Sequence, residues 1–306
     1  MKTMTSRFAR CLAVAGAALV LAAAPATRAA DGHEGLLLLA HGAHADSGQG
    51  HHSAASPWNA NVEQMARSLD QQRPTEVAFG MADPQSIQAA VNRLEARGVR
   101  EIAVVPLFVS SHSPIIGNFR YILGLQAELA KTTRLRHLDR VTSSARFLFG
   151  QAMDAHPLIS EVLLERALAL VRDPARTSVI LIAHGPNDEG ENHLCLQDME
   201  IHAGFLQEKG GFRAVSVLTH RNDAPEPVRA EARGSLRRQV ADAAAAGDVV
   251  VVPLLLSAGG IEAEVESDLE GLVYRFAQPL MPHPNIQRWV EAEADALLEH
   301  SAASAN

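Results

Sequence analysis

The chain has almost no cysteine: two residues in 306, Cys11 and Cys195. Cys11 falls in an amino-terminal leader, so the remaining chain holds one thiol and cannot close an internal disulfide; the fold has to rest on its core. Aromatic residues are scarce, at 4% against 47% hydrophobic residues overall. The core must therefore be aliphatic, which suits parallel sheets covered by helices rich in Leu and Ala. Positive charge is also short, with 27 Lys and Arg against 35 Asp and Glu. That balance argues against nucleic acid as a partner. Long apolar runs are missing except for Cys11–Ala24, which is too short for a comfortable membrane span.

That single run has the pattern of a secretory signal. Lys2, Arg7 and Arg10 precede it, and Thr27 and Ala29 stand at the two small-residue positions before a cut. Residues 1–29 are expected to be removed, leaving an exported, periplasmic or secreted protein with no membrane insertion after cleavage. The leader carries four cations and no acid, so its loss takes the formal charge from −8 to −12. No small-residue lipobox precedes Cys11, which gives no reason to expect a lipid anchor.

The rest of the chain alternates strand-like apolar runs with helical periodicity: GLLLLA, EVAFGM, EIAVVPLFV, then SVILIA, AVSVLT and DVVVVPLLL. This order predicts a parallel α/β sheet. It also repeats. LLLLAHG at 36–42 returns as VILIAHG at 179–185, AVVPLFVSS at 103–111 as VVVPLLLSA at 250–258, and HPLI at 156–159 as HPNI at 283–286. Three matches in one order mean an internal duplication. The expected organisation is a leader at 1–29, a first domain at 30–174 and a second at 175–306, with RDPART as the connection.

Ligands of open α/β sheets bind beyond the carboxyl ends of the strands. His41, His112 and His184 all follow apolar strands there. A loop with His44, His51 and His52 follows His41; each of these histidines alone reads first as part of a solvated segment, and the group together as a metal-capturing one.

The AHG turn after the first strand, VVPLF before a histidine-bearing loop, and the repetition of both resemble the CbiX-type sirohydrochlorin cobaltochelatases, members of the class II chelatases that include the protoporphyrin ferrochelatases. The resemblance implies two duplicated Rossmann-like domains, each a parallel sheet flanked by helices, with a tetrapyrrole in the cleft between them. It implies insertion of a divalent metal without ATP or any other nucleotide, cobalt first and iron or nickel as further candidates, as in cobalamin biosynthesis. His41 matches the family's metal-binding histidine. The second family histidine follows the strand proline by eight positions, where this chain has Pro114; His112 stands six beyond Pro106 and is the candidate. His184 and Glu262 occupy the places of a ferrochelatase histidine and glutamate. The expected sites are thus His41 with His112 for the metal, and His184 with Glu262 across the cleft.

Metal insertion requires a partly dehydrated ion, loss of two pyrrole protons and a bent macrocycle. Incomplete ligation, by two histidines or by a histidine and a glutamate, leaves positions open for the transfer. Glu262 is the candidate proton acceptor, although IEAEVESDLE also reads as an acidic helix start. Positive groups and helix N-termini are expected to face the family's carboxylate-rich substrate, with Arg120, Ser110 and Ser111 as candidate contacts. Asp188, Glu189, Glu191 and His193 offer a cation patch or a solvated loop. His156 and His283 read as helix caps ahead of proline. Because tetrapyrrole synthesis is usually cytoplasmic, the leader keeps open a non-catalytic periplasmic metal- or tetrapyrrole-binding protein on the same fold. The oligomeric state is open.

Overall fold

The computed structural model describes residues 33–42, 57–133, 135 and 137–304. The leader and His44, His51 and His52 lie outside the described residues. Two four-stranded parallel sheets carry the architecture. In the first, β1 (Glu34–Ala40), β2 (Thr75–Phe79), β3 (Glu101–Leu107) and β4 (Arg146–Phe149) lie in the order β2-β1-β3-β4. In the second, β5 (Thr177–Ala183), β6 (Ala214–Thr219), β7 (Asp248–Pro253) and β8 (Arg275–Phe276) lie as β6-β5-β7-β8. The helices are α1 (Pro57–Asp70), α2 (Pro84–Ala96), α3 (Pro114–Ile122), α4 (Pro157–Leu168), α5 (Glu189–Gly210), α6 (Glu226–Ala246), α7 (Gly260–Asp268) and α8 (Pro284–Ser304). The duplication read in the repeats is therefore a duplication of topology.

β1 and β5 are unbroken apolar runs because both faces of each are covered. Leu36, Leu38 and Ala40 point into one core together with Val179, Leu181 and Ala183 of β5, while Leu37 and Leu39 point the other way, onto α2 and α3. Ile180 and Ile182 likewise face α6 and α7. One core thus lies between the sheets and one outside each of them, as the two-residue side-chain period of a strand requires. Pro106 and Pro253 sit at the ends of β3 and β7, where a missing N–H costs little of the ladder.

The halves exchange their last helices. α4, at the end of the first repeat, packs on α5 and β7; α8, at the end of the second, packs on β3, β4 and α1. Trp289 of α8 and Ile159, Val162 and Leu163 of α4 are buried in the shared core. The HP pairs start these crossing helices. Nδ1 of His156 accepts from the Leu158 N–H at 3.2 Å and Nδ1 of His283 from the Asn285 N–H at 3.1 Å, so both are N-caps with proline in the first turn. Nε2 of His283 lies 2.8 Å from Oε2 of Glu165, and Arg166 donates to the carbonyls of Pro279 and Pro282, so the two crossing helices are tied at their ends. No helix among the described residues is long and apolar enough to cross a membrane.

Candidate active site

In each sheet the chain leaves the central strand toward one edge and later returns on the other side, so a crevice opens at the carboxyl ends of β1 and β3, and again at β5 and β7. Both HG turns stand there. Gly42 and Gly185 have φ of 74° and 78°, a left-handed conformation that glycine takes without a Cβ clash. At Gly185 a Cβ would stand 2.3 Å from Cβ of Thr219. The glycine turns the chain off the sheet, and the histidine before it is left at the strand end.

The two crevices open into one cavity of about 560 Å³, a size that suits a cofactor-sized ligand. His41 lines it from the first half and His184 from the second. Its walls are largely apolar, with Phe108, Val109 and Ile115 on one side and Leu255, Leu256 and Ile261 on the other. The polar groups are few: Ser110, Ser113, Asn118, Thr132, Asp188, Glu191 and Asp223 among them. None of the described lining residues is a lysine or arginine.

Nδ1 of His41 lies 2.7 Å from the Gly42 carbonyl, and Nε2 of His184 lies 3.4 Å from Oδ1 of Asp223. The loop carrying His184 is clamped by the buried Arg221, whose guanidinium donates to the carbonyls of Pro186 and Asn187 at 3.0 and 2.7 Å and pairs with Glu189 at 2.9 Å. Asp188 caps α5 by accepting from the N–H groups of Gly190 and Glu191. Glu191 then stands on the cavity wall, where Thr132 of the first half donates to it at 2.5 Å. Burial holds its carboxyl above the usual range, aided by the charge of Asp188.

The other expected site residues are placed as follows. His112 is not among the residues lining the cavity with His41; its Nε2 faces Oδ2 of Asp198 on α5 at 3.1 Å. Glu262 is buried at the start of α7, where its Oε2 accepts from the Gly259 N–H at 3.0 Å, and it too is absent from the lining. Burial raises its pKa, but its carboxylate is used as a helix cap. The Arg120 guanidinium lies over the Phe149 ring, 4.9 Å from its centroid, away from the cavity lining. Ser110 lines the cavity, and its hydroxyl accepts from the His112 N–H at 3.1 Å. Ser111 instead holds Asp154: its N–H donates to Oδ1 at 2.6 Å and its hydroxyl to Oδ2 at 2.7 Å.

Three groups at the site were not anticipated from the sequence: Asp154, Asp198 and Cys195. Cys195 lines the cavity but is buried, which pushes its thiol up to about 11, with a hydrogen bond to Ser110 only partly offsetting the effect. It is a neutral wall group at ordinary pH and no thiolate ligand. Glu191, Cys195 and Asp198 recur at helical spacing along one face of α5, a periodicity that the sequence does carry.

Two duplicated parallel α/β halves with matching histidine turns on one cleft define a chelatase-type fold. Solved structures agree across almost the whole chain. SirB from Bacillus subtilis with Fe3+ is similar at 18% identity and a TM-score of 0.63, with 88% of this chain and 97% of that one covered. SirB from Bacillus subtilis subspecies spizizenii in complex with cobalt gives 14%, 0.60, 88% and 97%, and CbiX, the terminal enzyme of siroheme biosynthesis in denitrifying bacteria, gives 16%, 0.55, 86% and 98%. The family model described as CbiX matches residues 35–170. The described chain thus shares the fold of these chelatase structures. No curated protein matches the sequence.

Proposed function

We propose that the protein is a metal chelatase that inserts a divalent metal, cobalt first, into a tetrapyrrole such as sirohydrochlorin, without ATP and in an exported compartment. The observation that carries this reading is the meeting of His41 and His184, from equivalent strand ends of the two halves, on one apolar cavity. Apolar walls suit the faces of a macrocycle, and an imidazole from each half suits an ion approaching its centre. Two imidazoles leave coordination positions open for transfer. Glu191, rather than Glu262, is the carboxylate placed to accept a pyrrole proton, because it lines the cavity and its raised pKa brings it closer to neutrality. The export of residues 1–29 rests on their sequence pattern.

A second reading, a non-catalytic metal- or tetrapyrrole-binding protein, draws support from the lining itself. Asp188, Glu191 and Asp223 line a cavity whose described lining holds no lysine or arginine, a better match to a metal ion than to a carboxylate-rich macrocycle. Mixing the purified protein with sirohydrochlorin and Co2+, Fe2+ or Ni2+, without nucleotide, separates the two by absorbance. Many equivalents of metallated product per protein support the chelatase; an end point at one equivalent supports the binder.

A further inference from the structure

Beside the cavity, and not among its lining residues, three side chains from three elements converge. His112 follows β3, Asp154 precedes α4, and Asp198 lies on α5; one ligand atom from each falls within 4.8 Å of the others. We propose that His112, Asp154 and Asp198 form a second divalent-cation site, distinct from the cleft histidines, which takes a first-row ion such as Co2+ or Ni2+ and bridges the two halves of the chain.

The geometry of the closest pair supports a shared third partner. Oδ2 of Asp198 is shielded from solvent and lies 3.1 Å from Nε2 of His112, yet without the alignment of a hydrogen bond. Two ligand atoms bound at about 2.1 Å and at right angles are about 3 Å apart. Lone pairs of an imidazole and a carboxylate aimed at one ion give that distance and that misalignment. Asp154 is fixed for the same purpose by the Ser111 N–H and hydroxyl, and its carbonyl accepts from His202, which is in turn held by Ser160. Such outer contacts set the direction of metal ligands.

The duplication supplies an independent control. The Met153 N–H donates to the Phe108 carbonyl as the Leu280 N–H donates to the Leu255 carbonyl, both at 2.9 Å. The same register places Gly259 opposite His112 and Met281 opposite Asp154. At these two places the second half carries no ligand side chain. Two carboxylates facing one another in a half-buried corner repel, and the architecture does not demand them there. One imidazole nitrogen with carboxylate oxygens suits borderline divalent ions and leaves positions open for water. Because Asp198 belongs to the second half while His112 and Asp154 belong to the first, a bound ion would tie the halves together beside the cleft.

The test uses the full chain and CoCl2 alone, without tetrapyrrole, so its outcome is independent of turnover. Binding is followed by equilibrium dialysis and by the visible Co2+ spectrum for wild type, D198N, D154N, H112N and the His41→Ala/His184→Ala double variant. All are taken in a background with His44, His51 and His52 replaced. One ion should lose at least about tenfold in affinity in D198N, D154N and H112N, and should remain in the double variant with its spectrum unchanged. Co2+ should also raise the melting temperature of wild type and of the double variant, and raise that of D198N less. Three substitutions that leave stoichiometry, affinity and spectrum at wild-type values overturn the site, as does loss of this ion in the double variant alone. Cobalt bound here by a protein that never metallates sirohydrochlorin would sink the proposed function and leave this site standing.

Discussion

Cys195 offers a quantitative check on the packing at the cavity wall. It is 3% exposed, and burial lifts its thiol from the ordinary 9.0 to about 11. In the unfolded chain the thiol loses its proton near pH 9; in the native protein it keeps it until near pH 11. The protonated, buried form therefore contributes full stability below about pH 9, and this contribution is lost as pH rises toward 11. Each pH unit of that window is worth about 1.4 kcal/mol, so the loss approaches 3 kcal/mol. Urea unfolding at pH 8, 9, 10 and 11, followed through the two buried tryptophans Trp58 and Trp289, measures it in wild type and in Cys195→Ala. The variant pays a constant cost for its small cavity, but the difference between the two proteins should shrink by about 2–3 kcal/mol across the range. Native protein at pH 8 should also react with iodoacetamide far more slowly than urea-unfolded protein. A difference that does not change with pH, together with free-thiol reactivity in the native state, would refute a buried neutral Cys195.

Trp289→Ala should cost about 3–5 kcal/mol and lower the stability of both halves in one transition, because its helix lies against the first sheet while belonging to the second repeat; calorimetry with two separated transitions would contradict this. Gly185→Ala adds a Cβ in a left-handed turn at 2.3 Å from Thr219; a loss of about 2–4 kcal/mol in urea unfolding is expected, from the backbone conformation and overpacking together. Glu191→Gln should slow metal insertion by at least about tenfold, equivalent to about 1.4 kcal/mol, while Glu262→Gln should lower stability and leave the rate nearly unchanged. Replacing His44, His51 and His52 together should weaken metal capture at low metal concentration and leave the rate at saturating metal intact.

Much of this architecture is legible in the residues. LLLLAHG and VILIAHG announce strands covered on both faces, and the glycine after each histidine announces the turn; together they place His41 and His184 at equivalent ends, where the cavity lies. HPLI and HPNI announce their caps, since a histidine ahead of proline has a ring nitrogen for the exposed N–H groups of the first turn. The helix exchange is not legible, because the apolar face of α4 says that it is buried and not which sheet buries it. Nor is the partner of His112: its imidazole meets Asp198 only because α5 of the other half passes the loop after β3. For Glu262, an acidic run reads as a helix start as well as a catalytic position, and only the fold shows the carboxylate buried and accepting from the Gly259 N–H. Arg120 illustrates the same limit, since a cation near a strand end has no direction until Phe149 is placed beneath it.

The central claim is that two duplicated halves place His41 and His184 on one cleft for metal transfer. It is tested most directly by cobalt insertion into sirohydrochlorin with protein at a small fraction of the macrocycle, comparing wild type with the His41→Ala/His184→Ala double variant. Wild type should form many equivalents of cobalt product, and the folded double variant should fall to the rate of the uncatalysed mixture. Product that stops at one equivalent per protein, or a double variant that keeps the wild-type rate, would contradict the account.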